Sequence, residues 1–165
     1  MILLRGAQAT ELLLIFTGDS AMKAVRQAGT PGMSVENVMH LRVRYSETDQ
    51  MGTFYNSRAL EWFECGRTEL LRQLGIDYAS MERRGVMLPL VEAHVEYLGR
   101  ARYDDNLRQA TTAAMSGKAR VRFDLRIDHA GPCSGPVATG YTVHAVTDPH
   151  GKPIRPPDWL LEALK

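Results

Sequence analysis

The sequence predicts an α+β domain in which a five-stranded antiparallel sheet curls around one long helix. Three observations lead there. Between residues 86 and 148 apolar side chains recur at every second position, the period of strands with one wet and one dry face. Between Ala59 and Leu74 they recur at helical spacing instead, and that stripe is long enough to cover a sheet. The strand-like runs are joined by short Gly- and Pro-containing turns, which antiparallel neighbours permit and parallel ones do not. One dry sheet face and one apolar helix bury most surface when the sheet wraps the helix.

The first strand is expected where Leu41, Val43 and Tyr45 alternate with Arg42 and Arg44, and the polar segment Ser46–Gly52 then turns the chain. The helix follows, with Ala59, Phe63, Gly66, Leu70 and Leu74 as its stripe and Leu60, Trp62 and Leu71 widening it. Arg58 with Glu61, Glu64 with Arg67, and Glu69 with Arg72 stand three apart on its flanks. Gly75 occupies a left-handed C-cap position, Asp77 opens a short second helix, and Gly85 closes it. Val91, Ala93, Val95 and Tyr97 give the next dry strand face, Leu107 to Met115 a weaker strand, and Ala119, Val121, Phe123, Leu125 and Ile127 a further dry face. Val137, Thr139, Tyr141, Val143 and Ala145 complete the sheet, and Pro156 to Leu164 form a short amphipathic tail. Residues 1–38 show no sustained period and contain the breaker run Gly29-Thr30-Pro31-Gly32. They read as an N-terminal extension, a candidate for poor order, with a chain start at Met33 or Met39 as the alternative; residues 39–165 read as the domain.

Composition narrows the function classes. With 20 basic and 19 acidic residues the formal charge is +1, so no global field draws the chain to nucleic acid. No stretch is long and apolar enough for membrane insertion, and the run Leu12–Phe16 is preceded by Glu11 and by Arg5 as its only arginine or lysine, a poor secretory signal. Two cysteines, Cys65 and Cys133, make no disulfide framework, which fits a cytoplasmic setting. Phosphate-loop, dinucleotide and serine-hydrolase motifs are absent from the sequence. Ser20-x-x-Lys23 stands without companion elements, and His94-Val95-Glu96 with Pro132-Cys133 lacks the second cysteine of a zinc deaminase because position 136 is Pro. No metal and no cofactor is expected.

One junction carries chemistry. Arg44 to Arg58 places the Asp49 carboxylate in the loop between the first strand and the N-terminus of the long helix. A helix N-terminus offers unpaired N–H groups and a positive dipole end, able to hold a carbonyl oxygen as it becomes an oxyanion. A nearby carboxylate can attack that carbonyl or deprotonate a water. The plainer reading makes Asp49 a turn residue.

From Leu41 to Arg155 the chain resembles the hotdog-fold acyl-CoA thioesterases of the 4-hydroxybenzoyl-CoA thioesterase family, including the branch associated with the Tol-Pal system. Glu47-Thr48-Asp49-Gln50-Met51-Gly52 followed by Tyr55 matches the active-site loop, and Glu61-Trp62-Phe63-Glu64-x-x-Arg67-Thr68-Glu69 the central helix. Gly85 through Tyr97 with Tyr103-Asp104-Asp105 matches the following strand and its turn. The resemblance implies a hotdog fold, hydrolysis of acyl-CoA to free acid and CoA, and Asp49 as nucleophile or general base. It makes the backbone N–H near Tyr55 the group that polarises the thioester carbonyl. Asn56 and Ala59 stand where Tol-Pal members commonly carry His and Tyr; Asn56 can donate a hydrogen bond but cannot exchange a proton, and Ala59 implies a roomier acyl pocket. Gly52, Lys118, Arg120 and Arg155 take substrate- and coenzyme-binding positions, and the assembly implied is a homodimer or homotetramer with active sites at the subunit junction. A non-catalytic hotdog protein that binds acyl thioesters or serves as a scaffold is the alternative; Asp49, which a binder has little chemical reason to keep, favours the enzyme. Hotdog dehydratases rank behind both, because this loop provides no Asp/His dyad.

Overall fold

The structure, a computed structural model of the chain, describes residues 35–131 and 135–165. Strands β1 (Glu36–Arg42), β2 (Leu90–Tyr97), β3 (Asn106–Met115), β4 (Arg120–His129) and β5 (Pro136–Ala145) form one antiparallel sheet in the order β1-β3-β4-β5-β2. Helix α1 (Arg58–Gln73) packs on its inner face over β1, β3 and β4, and α2 (Tyr78–Arg83) and α3 (Asp158–Ala163) complete the described elements. The expected α+β hotdog architecture is the one observed. Most of the N-terminal extension, Ser20 and Lys23 included, and Cys133 lie outside the described residues. No helix among the described residues is long and apolar enough to cross a membrane.

The helix follows from its stripe. Ala59, Trp62, Phe63, Gly66, Leu70 and Leu71 are buried against Leu107, Phe123, Leu125 and Ile127 from the sheet. At Gly66 the helix comes so close to β3 that an added Cβ would run into the Gln109 amide and the Thr111 hydroxyl. The Gly75 N–H donates to the Arg72 carbonyl at φ +76°, and the Asp77 carboxylate accepts the Ser80 N–H at 2.8 Å, so the predicted cap and restart both form.

Several expectations change in phase or extent. β1 begins at Glu36, earlier than the Leu41–Tyr45 alternation suggested. Val43 already leaves the sheet to exchange hydrogen bonds with Asp104 and Asp105, and Tyr45 is 78% exposed in a 3-10 turn. Leu60 is 39% exposed, off the buried stripe. Arg58–Glu61 and Glu69–Arg72 pair as spaced, but Arg67 is buried beside Tyr78 rather than paired with Glu64. On β5 the residues opposite Ile127, Leu125, Phe123 and Val121 are Ala138, Gly140, Thr142 and His144. The inner face of this strand is thus its small and polar set, while Tyr141 is on the outer face, under the Arg122 guanidinium at 3.7 Å. A register shift at Ile127/Asp128 moves Val137 out of that alternation. The predicted dry face of β2 does lie on the inner side of the sheet, with Ala93, Val95 and Tyr97 opposite Thr142, Gly140 and Ala138, but α1 packs over β1, β3 and β4, so only Val95 packs against the core while Leu90, Val91 and Tyr97 are each about half exposed.

Candidate active site

The segment from Val43 to α1 is held at one end of the sheet. Its Phe54 N–H donates to the Ala101 carbonyl at 2.8 Å, and the buried Phe54 ring lies 4.9 Å from Trp62. Beneath it sits Glu47, a buried carboxylate. Its oxygens accept the Arg44 backbone N–H at 2.7 Å, the Arg44 guanidinium at 2.8 and 3.1 Å, and the Trp62 indole N–H at 3.0 Å. Burial alone would raise this carboxyl; the bonds from Arg44 and Trp62 outweigh it and hold the group below its ordinary range.

Asp49 opens the next turn. Its N–H donates to Thr53 at 2.9 Å, its carbonyl accepts the Gly52 N–H at 3.1 Å, and its Oδ1 accepts the Met51 N–H at 2.8 Å. Oδ2 has no hydrogen-bond partner among the described residues and is available to a water or an acyl carbon. Gly52 is at φ +70°, where its lack of a Cβ lets the turn close; nothing lies within 4 Å of a Cβ built there, so it leaves room above the loop. The half-buried Asp49 is therefore both a turn residue and a carboxylate with one free oxygen.

The N–H of Tyr55 is not free. It donates to the Glu47 carbonyl at 2.8 Å, so the N–H near Tyr55 expected to polarise the carbonyl is to be sought at the residues that follow. The next amides, Asn56 and Ser57, have no backbone acceptor among the described residues, and they lead directly into α1, with Ser57 as its N-cap. The Asn56 carbonyl accepts the Tyr97 hydroxyl at 2.8 Å. Asp49, Gly52, Tyr55 and Asn56 are thus brought into one loop and helix start.

The residues expected to meet the coenzyme are placed elsewhere in the chain. Lys118 and Arg120 flank Ala119, whose carbonyl accepts the Val146 N–H, and Val146 in turn accepts the N–H of Ile154 beside Arg155. All three side chains are exposed and share one end of the sheet. That is the far end from Asp49: β4 runs from Arg120 to His129, about 30 Å at the usual rise, and the Asp49 loop sits at the Tyr97 and Asn106 end. Reading the sequence also missed the roles of Glu47, Trp62 and Tyr97. Their signal was an acid and an indole inside the two matched blocks, each needing a buried partner.

A carboxylate with a free oxygen, on one folded-back segment with amides that lack a backbone acceptor, is the set of groups that can add an oxygen nucleophile to a carbonyl and hold the resulting oxyanion. Comparison with known proteins agrees with that chemistry. Over 57 residues the chain is 47% identical to the Bacillus subtilis protein YneP, a match spanning 34% of this chain and 41% of that protein. It is 30% identical over 125 residues to the 1,4-dihydroxy-2-naphthoyl-CoA hydrolase of Synechococcus elongatus, covering 72% of this chain and 90% of that enzyme. The solved DHNA-CoA thioesterase of Staphylococcus aureus superposes with a TM-score of 0.70 at 28% identity, over 78% of this chain and 87% of that one. The family model of the thioesterase-like superfamily matches residues 43–164, well over half of the sequence, and the chain belongs to that superfamily.

Proposed function

We propose that this thioesterase hydrolyses acyl-CoA thioesters at the Asp49 loop, with the substrate carbonyl polarised by the Asn56 and Ser57 N–H groups rather than by that of Tyr55. The observation that carries the reading is the free Oδ2 of Asp49 on the same short segment as those two amides, which the Asp49 N–H to Thr53 and Tyr55 N–H to Glu47 bonds fold back on itself. As a base, Asp49 takes a proton from water; the hydroxide adds to the carbonyl, the oxyanion collapses, and CoA leaves as a thiolate that is then protonated. As a nucleophile, Asp49 forms a mixed anhydride with release of the same thiolate, and water hydrolyses the anhydride. Asn56 supplies a hydrogen-bond donor to the acyl carbonyl or to the water. Catalysis by either route asks nothing of a metal or cofactor.

The separation of Asp49 from Lys118, Arg120 and Arg155 supports a site shared between copies. β2 ends the sheet among the described residues, and its apolar side chains are exposed. Two copies pairing β2 against β2 antiparallel about a two-fold axis bring the Tyr97 end of one to the Leu90 end of the other. The Leu90 end carries the basic residues, so the second copy's Lys118, Arg120 and Arg155 approach this chain's Asp49 loop and meet the nucleotide phosphates there. A homodimer is the smallest assembly with this property, and a homotetramer retains it. Residues 36–165, which keep the whole of β1 where the sequence boundary at 39 would cut it, carry the activity, in the cytoplasm.

The acyl group is best sought among aromatic acids, since similar chains act on 1,4-dihydroxy-2-naphthoyl-CoA. A thiol-release assay across aliphatic chain lengths and aryl-CoA substrates tests the proposal. Release of CoA with saturation kinetics from at least one of them supports it, and binding of acyl-CoA without release identifies the scaffold alternative instead.

A further inference from the structure

We infer that Tyr97 is a positioning residue for the carbonyl-polarising amides, acting through the peptide group between Asn56 and Ser57; the inference rests on the thioesterase reading above. The Tyr97 hydroxyl donates to the Asn56 carbonyl at 2.8 Å across 41 residues of sequence. Among the described residues it is the one side-chain hydrogen bond from outside the segment onto residues 55–58. The other bonds there are local to the helix start: backbone ones from Arg58 to Tyr55 at 2.9 Å, from Ala59 to Asn56 at 3.4 Å and from Leu60 to Ser57 at 3.1 Å, and the Arg58–Glu61 side-chain pair. The bond fixes the plane of that peptide, whose N–H belongs to Ser57, and the Tyr55 N–H is fixed from the opposite side by the Glu47 carbonyl. Between these two anchors lie both amides left without a backbone acceptor.

Two physical effects follow. An N–H in a held peptide plane needs no reorientation as the oxyanion develops. A carbonyl that accepts a strong hydrogen bond also polarises its own peptide unit and makes the N–H on the other side a better donor. The remainder of Tyr97 is suited to hold the hydroxyl in place: its ring centroid is 6.0 Å from that of the buried Phe54, and its backbone is paired with Ala138 of β5. Tyr97 is also about half exposed on the edge strand, so whatever pairs with β2 packs beside this hydrogen bond.

The test is Tyr97→Phe, which removes the hydroxyl and keeps the ring, measured with the acyl-CoA that the wild-type protein turns over fastest. Tyr103→Phe, an exposed tyrosine in the β2–β3 connection, is the control. Tyr97→Phe should lower kcat by about tenfold, less than the loss of a whole oxyanion donor, with KM within about twofold of wild type, an unchanged melting temperature, and no effect in the control. An unchanged kcat would overturn the inference. So would a loss of kcat that comes with a lower melting temperature and a raised KM, because that pattern marks a structural role. Full activity in Asp49→Asn together with the expected loss in Tyr97→Phe would remove Asp49 from the reaction and leave Tyr97 in its role.

Discussion

Glu47 shows how a single buried charge shapes this site. Its carboxylate is bound by three groups from Arg44 and Trp62, so the 3-10 turn before Asp49 is tied to α1 through the indole N–H. Removing one partner of such a network leaves the others unsatisfied in a buried place, which costs more than the net worth of the pair. Because the folded protein holds Glu47 below its ordinary value, this group contributes stability above about pH 4.3 that is lost as pH falls through the lower folded value. Glu47→Gln should therefore melt lower than wild type at pH 7, with the gap closing as the pH is taken into the acid range. Thermal melts across that range check this, and a gap that stays constant with pH would show that the charge is not what holds the turn. Asp49 could be read from the sequence as a candidate, since a carboxylate between a strand and a long helix suggests chemistry. Glu47 could not, because an acid in a polar loop looks solvated until the fold brings Trp62 over it.

At the scale of elements, the contact of α1 with β3 sets where the helix start, and hence the site, lies over the sheet. Gly66 permits it, since an alanine there would meet the Gln109 and Thr111 side chains, both fully buried. Gly66→Ala should lower the unfolding free energy by about 1–3 kcal/mol, the usual cost of overpacking, with an unchanged urea m-value. Adding Gln109→Ala should recover part of the loss, because the two changes share one contact. Independent, additive effects would place the helix differently. The helix, its caps and the strand count were legible because hydrophobic period and cap residues are local signals. The phase of β5 was not: its inner face presents Gly140, Thr142 and His144, where close packing and buried hydrogen bonds replace apolar bulk. The dry side of β2 was legible as apolar, but sequence could not show that α1 leaves it uncovered.

At the scale of the whole molecule, Asp49 and the basic trio occupy opposite ends of one sheet, and the proposed pairing of two copies reunites them. Co-expressing Asp49→Asn chains with chains that carry Lys118→Ala, Arg120→Ala and Arg155→Ala tests this. Each parent homodimer should be defective, the first in kcat and the second in KM, since remote nucleotide contacts act mainly on binding. The hybrid should regain one site with near wild-type KM, built from the intact half of each chain. A hybrid no better than its parents would place both halves of the site in one copy. Either arrangement depends on the Asp49 carboxylate, and the most direct measurement is the turnover of Asp49→Asn, which keeps the size of the side chain and the acceptor for the Met51 N–H while removing the charge. We predict a fall in kcat of at least about 100-fold, with acyl-CoA affinity and melting temperature near wild type; full turnover in this variant would contradict the assignment of the reaction to Asp49.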